Sequence, residues 1–143
     1  MMLPSDTGQR VLQPQSWGRP RGYANGIVAA GETIFLAGQI GWDAQGRFAD
    51  GLADQVGQAL ANIVTLLAEA GAEPRHLVRL TWFVTDLQVY RDSLVPIGAA
   101  YRRVVGRHFP TMSVIGVSQL VEREALVEIE ATAVLPPLHA PGT

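Results

Sequence analysis

Residues 126–134 read Leu-Val-Glu-Ile-Glu-Ala-Thr-Ala-Val. The alternation sets Val127, Ile129 and Ala131 on one side of an extended chain and Glu128, Glu130 and Thr132 on the other, which is the period-two signature of a strand with one dry face. Residues 77–85 repeat the pattern, with Val78, Leu80, Trp82 and Val84 opposed to Arg79, Thr81, Phe83 and Thr85. Two such strands need an apolar partner over their dry faces.

The flanking segments supply it. Leu52, Val56, Leu60, Ile63 and Leu67 recur at helical spacing, with Asp54, Gln58, Asn62 and Glu69 off the stripe, and Gly71 and Pro74 end the helix. A second stripe runs through Tyr90, Leu94, Ile97, Tyr101 and Val104 up to Gly106, and Pro96 inside it marks a kink or a first turn. Residues 26–30 and 33–38 read as a β-hairpin turning at Gly31 and Glu32, and residues 40–42 extend its second strand. Residues 112–119 form a further strand, joined to the last by a polar turn around Glu122 and Arg123. The order is β-β-α-β-α-β-β, an α+β layer with two helices on one face of a mixed sheet. The opposite face, carrying Arg79, Phe83, Glu128, Glu130 and Thr132, has no helix left to cover it, and its mixed apolar and ionic character points to self-association. Residues 1–21, rich in Pro, Gln, Ser and Arg, read as an extended arm, residues 22–135 as one domain, and residues 136–143 as a tail.

Composition narrows the chemistry. With 143 residues, 48% hydrophobic and 17% charged, the chain has the balance of a single globular domain that needs no disulfide or metal to hold its core. The absence of cysteine removes thiolate nucleophiles and cysteine metal sites. All 11 basic side chains are Arg, so a lysine Schiff base and a lysine-bearing phosphate loop are excluded. A net charge of -2 without a basic helix face argues against nucleic acid as a partner. No apolar run approaches the roughly 20 residues that span a bilayer, so the expected location is cytoplasmic, with no membrane association.

Glu128 and Glu130 leave one strand face roughly 7 Å apart, close enough to share a cleft. On spacing alone they read as a solvated face, and an interface or pocket over them would make either a base or a water-orienting group. His76, His108 and His139 stand at no metal-ligand spacing. His108, between a helix end and Phe109-Pro110, suits a helix dipole partner or a loop contact to a ligand. Arg19 and Arg21, beside Trp17 and Tyr23, offer guanidinium forks for an anion or for surface acids.

Five segments in order, Gly22-Tyr23-Ala24, Phe35-Leu36-Ala37-Gly38-Gln39, Val84-Thr85-Asp86, Phe109-Pro110-Thr111-Met112-Ser113 and Val127-Glu128-Ile129-Glu130-Ala131, resemble the Rid (YjgF/RidA) family from about residue 22 to 135. The resemblance implies a chorismate-mutase-like fold and a homotrimer whose helix-free sheet faces turn inward. It also implies small-molecule clefts at the subunit junctions and hydrolysis of imines or enamines without a cofactor or metal. It assigns the water-ordering role to Glu128 and places Tyr23 and Gly38 in the cleft, with Ser113 beside them. Arg21 and His108 join them as candidate ligand contacts.

The family's carboxylate-gripping Arg falls on Met112, a side chain with no donor and no charge. Losing such a pair costs about 2–5 kcal/mol, so activity on 2-aminoacrylate should be weak or absent. Ala24 and Gly98 replace further polar residues of the pattern. The reading is an imine or enamine deaminase with altered substrate choice, and the alternative is a non-catalytic small-molecule binder. A ribonuclease or translation-inhibitor role fits the acidic balance poorly.

Overall fold

The computed structural model of the protein describes residues 6–137. The main sheet has four strands in the order β3 (Glu32–Ile40), β6 (Val127–Leu135), β4 (Leu77–Val84) and β5 (Thr111–Gly116). β6 pairs antiparallel with both β3 and β4, and β5 runs parallel to β4 at the edge. The helices α1 (Leu52–Glu69), α2 (Leu87–Asp92) and α3 (Leu94–Val104) complete the α+β layer, and the core lies between them and the sheet.

Each helix forms for local reasons. In α1 the whole stripe Leu52, Val56, Leu60, Ile63 and Leu67 is buried, and burial of each such side chain contributes about 1.5–3 kcal/mol. Gly71 then adopts φ +73, which lets the Ala72 N–H bond back to the Leu67 carbonyl at 2.9 Å and stops the helix. Asp86 caps α2 by accepting from the N–H groups of Gln88 and Val89. The second predicted helix is thus two, and Pro96 sits in the first turn of α3, where its missing N–H costs nothing.

The expected faces hold along β6: Val127, Ile129 and Ala131 are buried, Glu128 and Thr132 are half-buried and Glu130 is exposed. Along β4 one residue departs. The register shifts between Leu77 and Arg79, so Leu77 enters the core and Val78 turns to the open side, contrary to strict alternation. Leu80, Trp82 and Val84 remain core residues as expected.

Three further expectations are corrected. Residues 26–38 do not form a hairpin: β2 (Gly26–Val28) pairs with β1 (Arg10–Leu12) in a separate two-stranded ribbon, and β3 pairs with β6. Gly31 serves a close approach instead, because a Cβ there would lie 2.1 Å from the Leu135 carbonyl oxygen. The arm is not merely extended, since β1 lies within it; strands of three residues leave too little sequence to show a period. The last two strands are not neighbours, because β6 inserts between β3 and β4. Residues 1–5 of the arm and 138–143 of the tail lie outside the described residues.

Candidate functional site

The site begins at the turn that follows the arm. Gly22 takes φ +78, a conformation L side chains avoid, and reverses the chain just before Tyr23. Ala24 is then buried, with its N–H bonded to the Pro110 carbonyl at 3.0 Å and its backbone bridged to Thr111. This clip holds the exposed Tyr23 at the head of β5. Behind it, Asn25 Nδ2 donates to Gln13 Oε1 at 2.9 Å and so ties the arm to the same turn.

Between the clip, the ribbon and the helix-free face of the sheet lies an open cleft of about 810 Å³. Tyr23, Met112 and Ser113 all line it, so three of the sequence candidates come together. Thr81, Thr132, Phe35 and Ile115 extend the lining from the open sheet face. The Thr111 hydroxyl donates to the Val78 carbonyl at 2.6 Å and satisfies the backbone where β4 bulges. Arg79, the next residue, is exposed and is the one charged residue in the lining. The sequence placed Arg79 on the open face but not in a site, because its neighbours Thr111 and Thr132 are set by the strand order.

Met112 is in register with the core residue Leu80 and packs against the hydrophobic core, so its thioether belongs partly to that core. A thioether in such a position offers the cleft no hydrogen-bond donor.

Glu128 and Gly38 lie elsewhere on the open face. Glu128 is in register with Ile40 on β3 and Phe83 on β4, and its side chain rests on the backbone of Gly38. A Cβ at Gly38 would lie 2.6 Å from the Glu128 carboxyl carbon, so glycine there makes room for the carboxylate. The β3 register shifts between Leu36 and Gln39, at this point. Glu128 and Thr132 are four residues apart on one strand, a span of roughly 13 Å. Thr132 and Arg79 thus mark the end of the cleft away from Glu128, whereas Ile115 shares the cross-strand row of Phe83 and Glu128 and Thr81 lies opposite Glu130; Glu128 itself does not line the cleft.

The other candidates lie outside the cleft. Arg21 is exposed and does not line it. His108 and Arg19 border a neighbouring depression of about 530 Å³, which meets the cleft at Tyr23, Ala24 and Ile27. The His108 Nε2 stands 2.7 Å from the Leu77 carbonyl, and the His108 carbonyl accepts from the Tyr101 hydroxyl at 2.6 Å, contacts that anchor the loop between α3 and β5. Burial pushes the Tyr101 hydroxyl pKa up, so this phenol stays a donor. His76 is buried under a 3-10 turn, where its Nδ1 accepts from the Glu73 N–H at 2.9 Å, and burial, followed by the Arg75 charge, lowers its pKa. Among the described residues no group of three or more His, Cys, Asp or Glu is placed to hold a metal ion, and no helix is long and apolar enough to cross a membrane.

Comparison with known proteins adds four findings. The model of the family described as Endoribonuclease L-PSP matches residues 18–135. The RutC family protein slr0709 of Synechocystis is 31% identical over 135 residues, which cover 89% of this chain and 97% of that protein. A 2-iminobutanoate/2-iminopropanoate deaminase of Bos taurus is 32% identical over 113 residues, covering 78% of this chain and 79% of that one. Among solved structures, YyfB of Yersinia pestis, a protein of unknown function in the Rid family, superimposes with a TM-score of 0.79 at 34% identity and covers 89% of this chain and 98% of its own.

Proposed function

Because the chain belongs to the Rid (YjgF/RidA) family, we propose that it hydrolyses a small imine, or the imine tautomer of an enamine, to a carbonyl compound and ammonia. The site is completed between copies of the chain in a homotrimer. The observation that carries this reading is the Glu128 carboxylate resting on Gly38, on a sheet face that no helix covers. Relatives named as 2-iminobutanoate/2-iminopropanoate deaminases support the reaction class.

The chemistry needs little from the protein. A protonated imine carbon is already electrophilic, so the enzyme has to hold the substrate, present a water and accept one proton. Water adds to the C=N carbon while Glu128 takes a proton from it, giving a tetrahedral carbinolamine. Glu128 then returns that proton to the nitrogen and takes the hydroxyl proton as the C–N bond breaks, so ammonia leaves as the carbonyl forms and the proton on Glu128 passes to the departing ammonia. Tyr23 and Ser113 offer hydroxyls at the cleft to orient the substrate. Glu128 does not line the cleft of its own chain, which supports a site in which the acid of one copy meets the cleft of another. Association through the open face would also cover Phe35, which is 80% exposed in the single chain.

The test uses imines generated in solution by an amino-acid oxidase, with release of the 2-oxo acid as the readout. Turnover by the wild-type protein, reduced about 100- to 10,000-fold in Glu128→Gln at unchanged circular dichroism, is the expected result. No turnover on any imine, with Glu128→Gln still binding 2-oxo acids like the wild type, would replace the deaminase by a small-molecule binder.

A further inference from the structure

The cleft beside Tyr23 is lined by one formal charge, with no counter-ion among the described residues of its own chain. No Asp, Glu, Lys or His lines the cleft, and Arg79 makes no ion pair among the described residues. In a chain of net charge -2 this is a local inversion of sign. We propose that Arg79 is the specificity-determining residue of the cleft, selecting ligands that carry a carboxylate. The inference names the substrate class of the site above and rests on that reading for the reaction, but not for the binding.

Three features fit Arg79 for the role. It stands on a central strand, in register with Thr111 on one side and Thr132 on the other, so its backbone is fixed by two ladders. The bulge at Val78 immediately before it, held by the Thr111 hydroxyl, sets the direction in which the side chain leaves the sheet. Its surroundings offer hydroxyls rather than acids: Tyr23, Thr81, Ser113 and Thr132 share the lining. A guanidinium fork with adjacent hydroxyl donors is suited to a carboxylate, whose two oxygens accept in parallel. Met112 pairs with the core residue Leu80, whereas Arg79 and its register partner Thr111 stand on the open face, so the one charge of the lining leaves the sheet on the opposite side from the Leu80–Met112 pair. Arg19 and Arg21 do not line this cleft.

The experiment is calorimetric titration of the full-length protein with 2-oxobutanoate and with its uncharged analogue 2-oxobutanamide. The wild type should bind the acid more tightly than the amide. In Arg79→Gln the affinity for the acid should fall about a hundredfold and the preference should vanish, while Arg79→Lys keeps part of it. Arg19→Gln and Arg21→Gln should bind like the wild type. Equal wild-type affinity for acid and amide, or an Arg79→Gln protein that retains the preference, overturns the inference. Either result can stand beside Glu128-dependent turnover, and a Glu128→Gln protein with full turnover can stand beside an intact Arg79-dependent preference, so the two readings fail separately.

Discussion

Two sets of residues interleave along β6 under opposite rules. Val127, Ile129 and Ala131 meet α1 and the rest of the core, where close packing dictates apolar side chains. Glu128, Glu130 and Thr132, one step out of phase, face a surface with no helix over it. There Phe35 is largely exposed beside half-buried Thr132, its register partner, and Arg79 stands without an ion pair among the described residues. The covered face is explained by one chain. The open face mixes apolar and ionic groups, and the proposed association would lay a second copy against it.

Substitutions on the two faces should therefore separate stability from function. Ile129→Ala, which removes a fully buried side chain, should lower unfolding stability by about 2–5 kcal/mol in urea melts. An unchanged melt would mean that the covered face is not a packed core. Gly38→Ala, on the other face, forces the Glu128 carboxylate off its seat; a displacement of this kind should reduce turnover by up to about a hundredfold with a smaller effect on the melt. Equal turnover in Gly38→Ala and wild type would separate Glu128 from the chemistry. Phe35→Asp should weaken self-association by about 2 kcal/mol, read as a shift toward monomer in sedimentation, while the isolated fold persists. A Phe35→Asp protein that sediments as the wild type does would remove the open face from the assembly.

The smallest effect is a pH dependence of stability. Burial favours the neutral His76 ring, so its pKa in the folded chain lies below the ordinary 6.5. Above that value both folded and unfolded chains carry neutral imidazole. As pH falls below about 6.5 the unfolded chain takes a proton that the folded chain resists, and stability decreases until pH passes the folded value. Urea midpoints of wild type and His76→Asn at pH 7.5 and 5.5 should show the larger drop in the wild type.

Periodicity alone located the α1 stripe and the phase of β6, because one side chain per position and a fixed repeat determine which residues share a face. It missed the β1–β2 ribbon because three-residue strands carry no readable period. It misplaced Val78 because a bulge shifts the phase by one residue and leaves no compositional mark. The hairpin expectation failed at Gly31, where the glycine answers to the Leu135 carbonyl, a contact more than a hundred residues away in the chain. Gln55 is a similar case: it reads as one polar residue in α1, yet its amide bonds to the carbonyls of Ala49 and Glu124 and to the Leu126 N–H.

At the candidate site the division is the same. The motif segments named Tyr23, Ser113, Gly38 and Glu128, and the substitution at Met112 was plain from the chain itself. Which of these meet was decided in three dimensions: Tyr23, Met112 and Ser113 share one cleft with Arg79, while Glu128 and Gly38 sit together some distance along the same face. Local alternation and helical repeat are properties of consecutive residues, so the order of residues determined the elements and their dry sides. Strand order, the bulge at Val78 and the lone positive charge in the cleft depend on contacts between segments far apart in the chain, and only the folded molecule decides those.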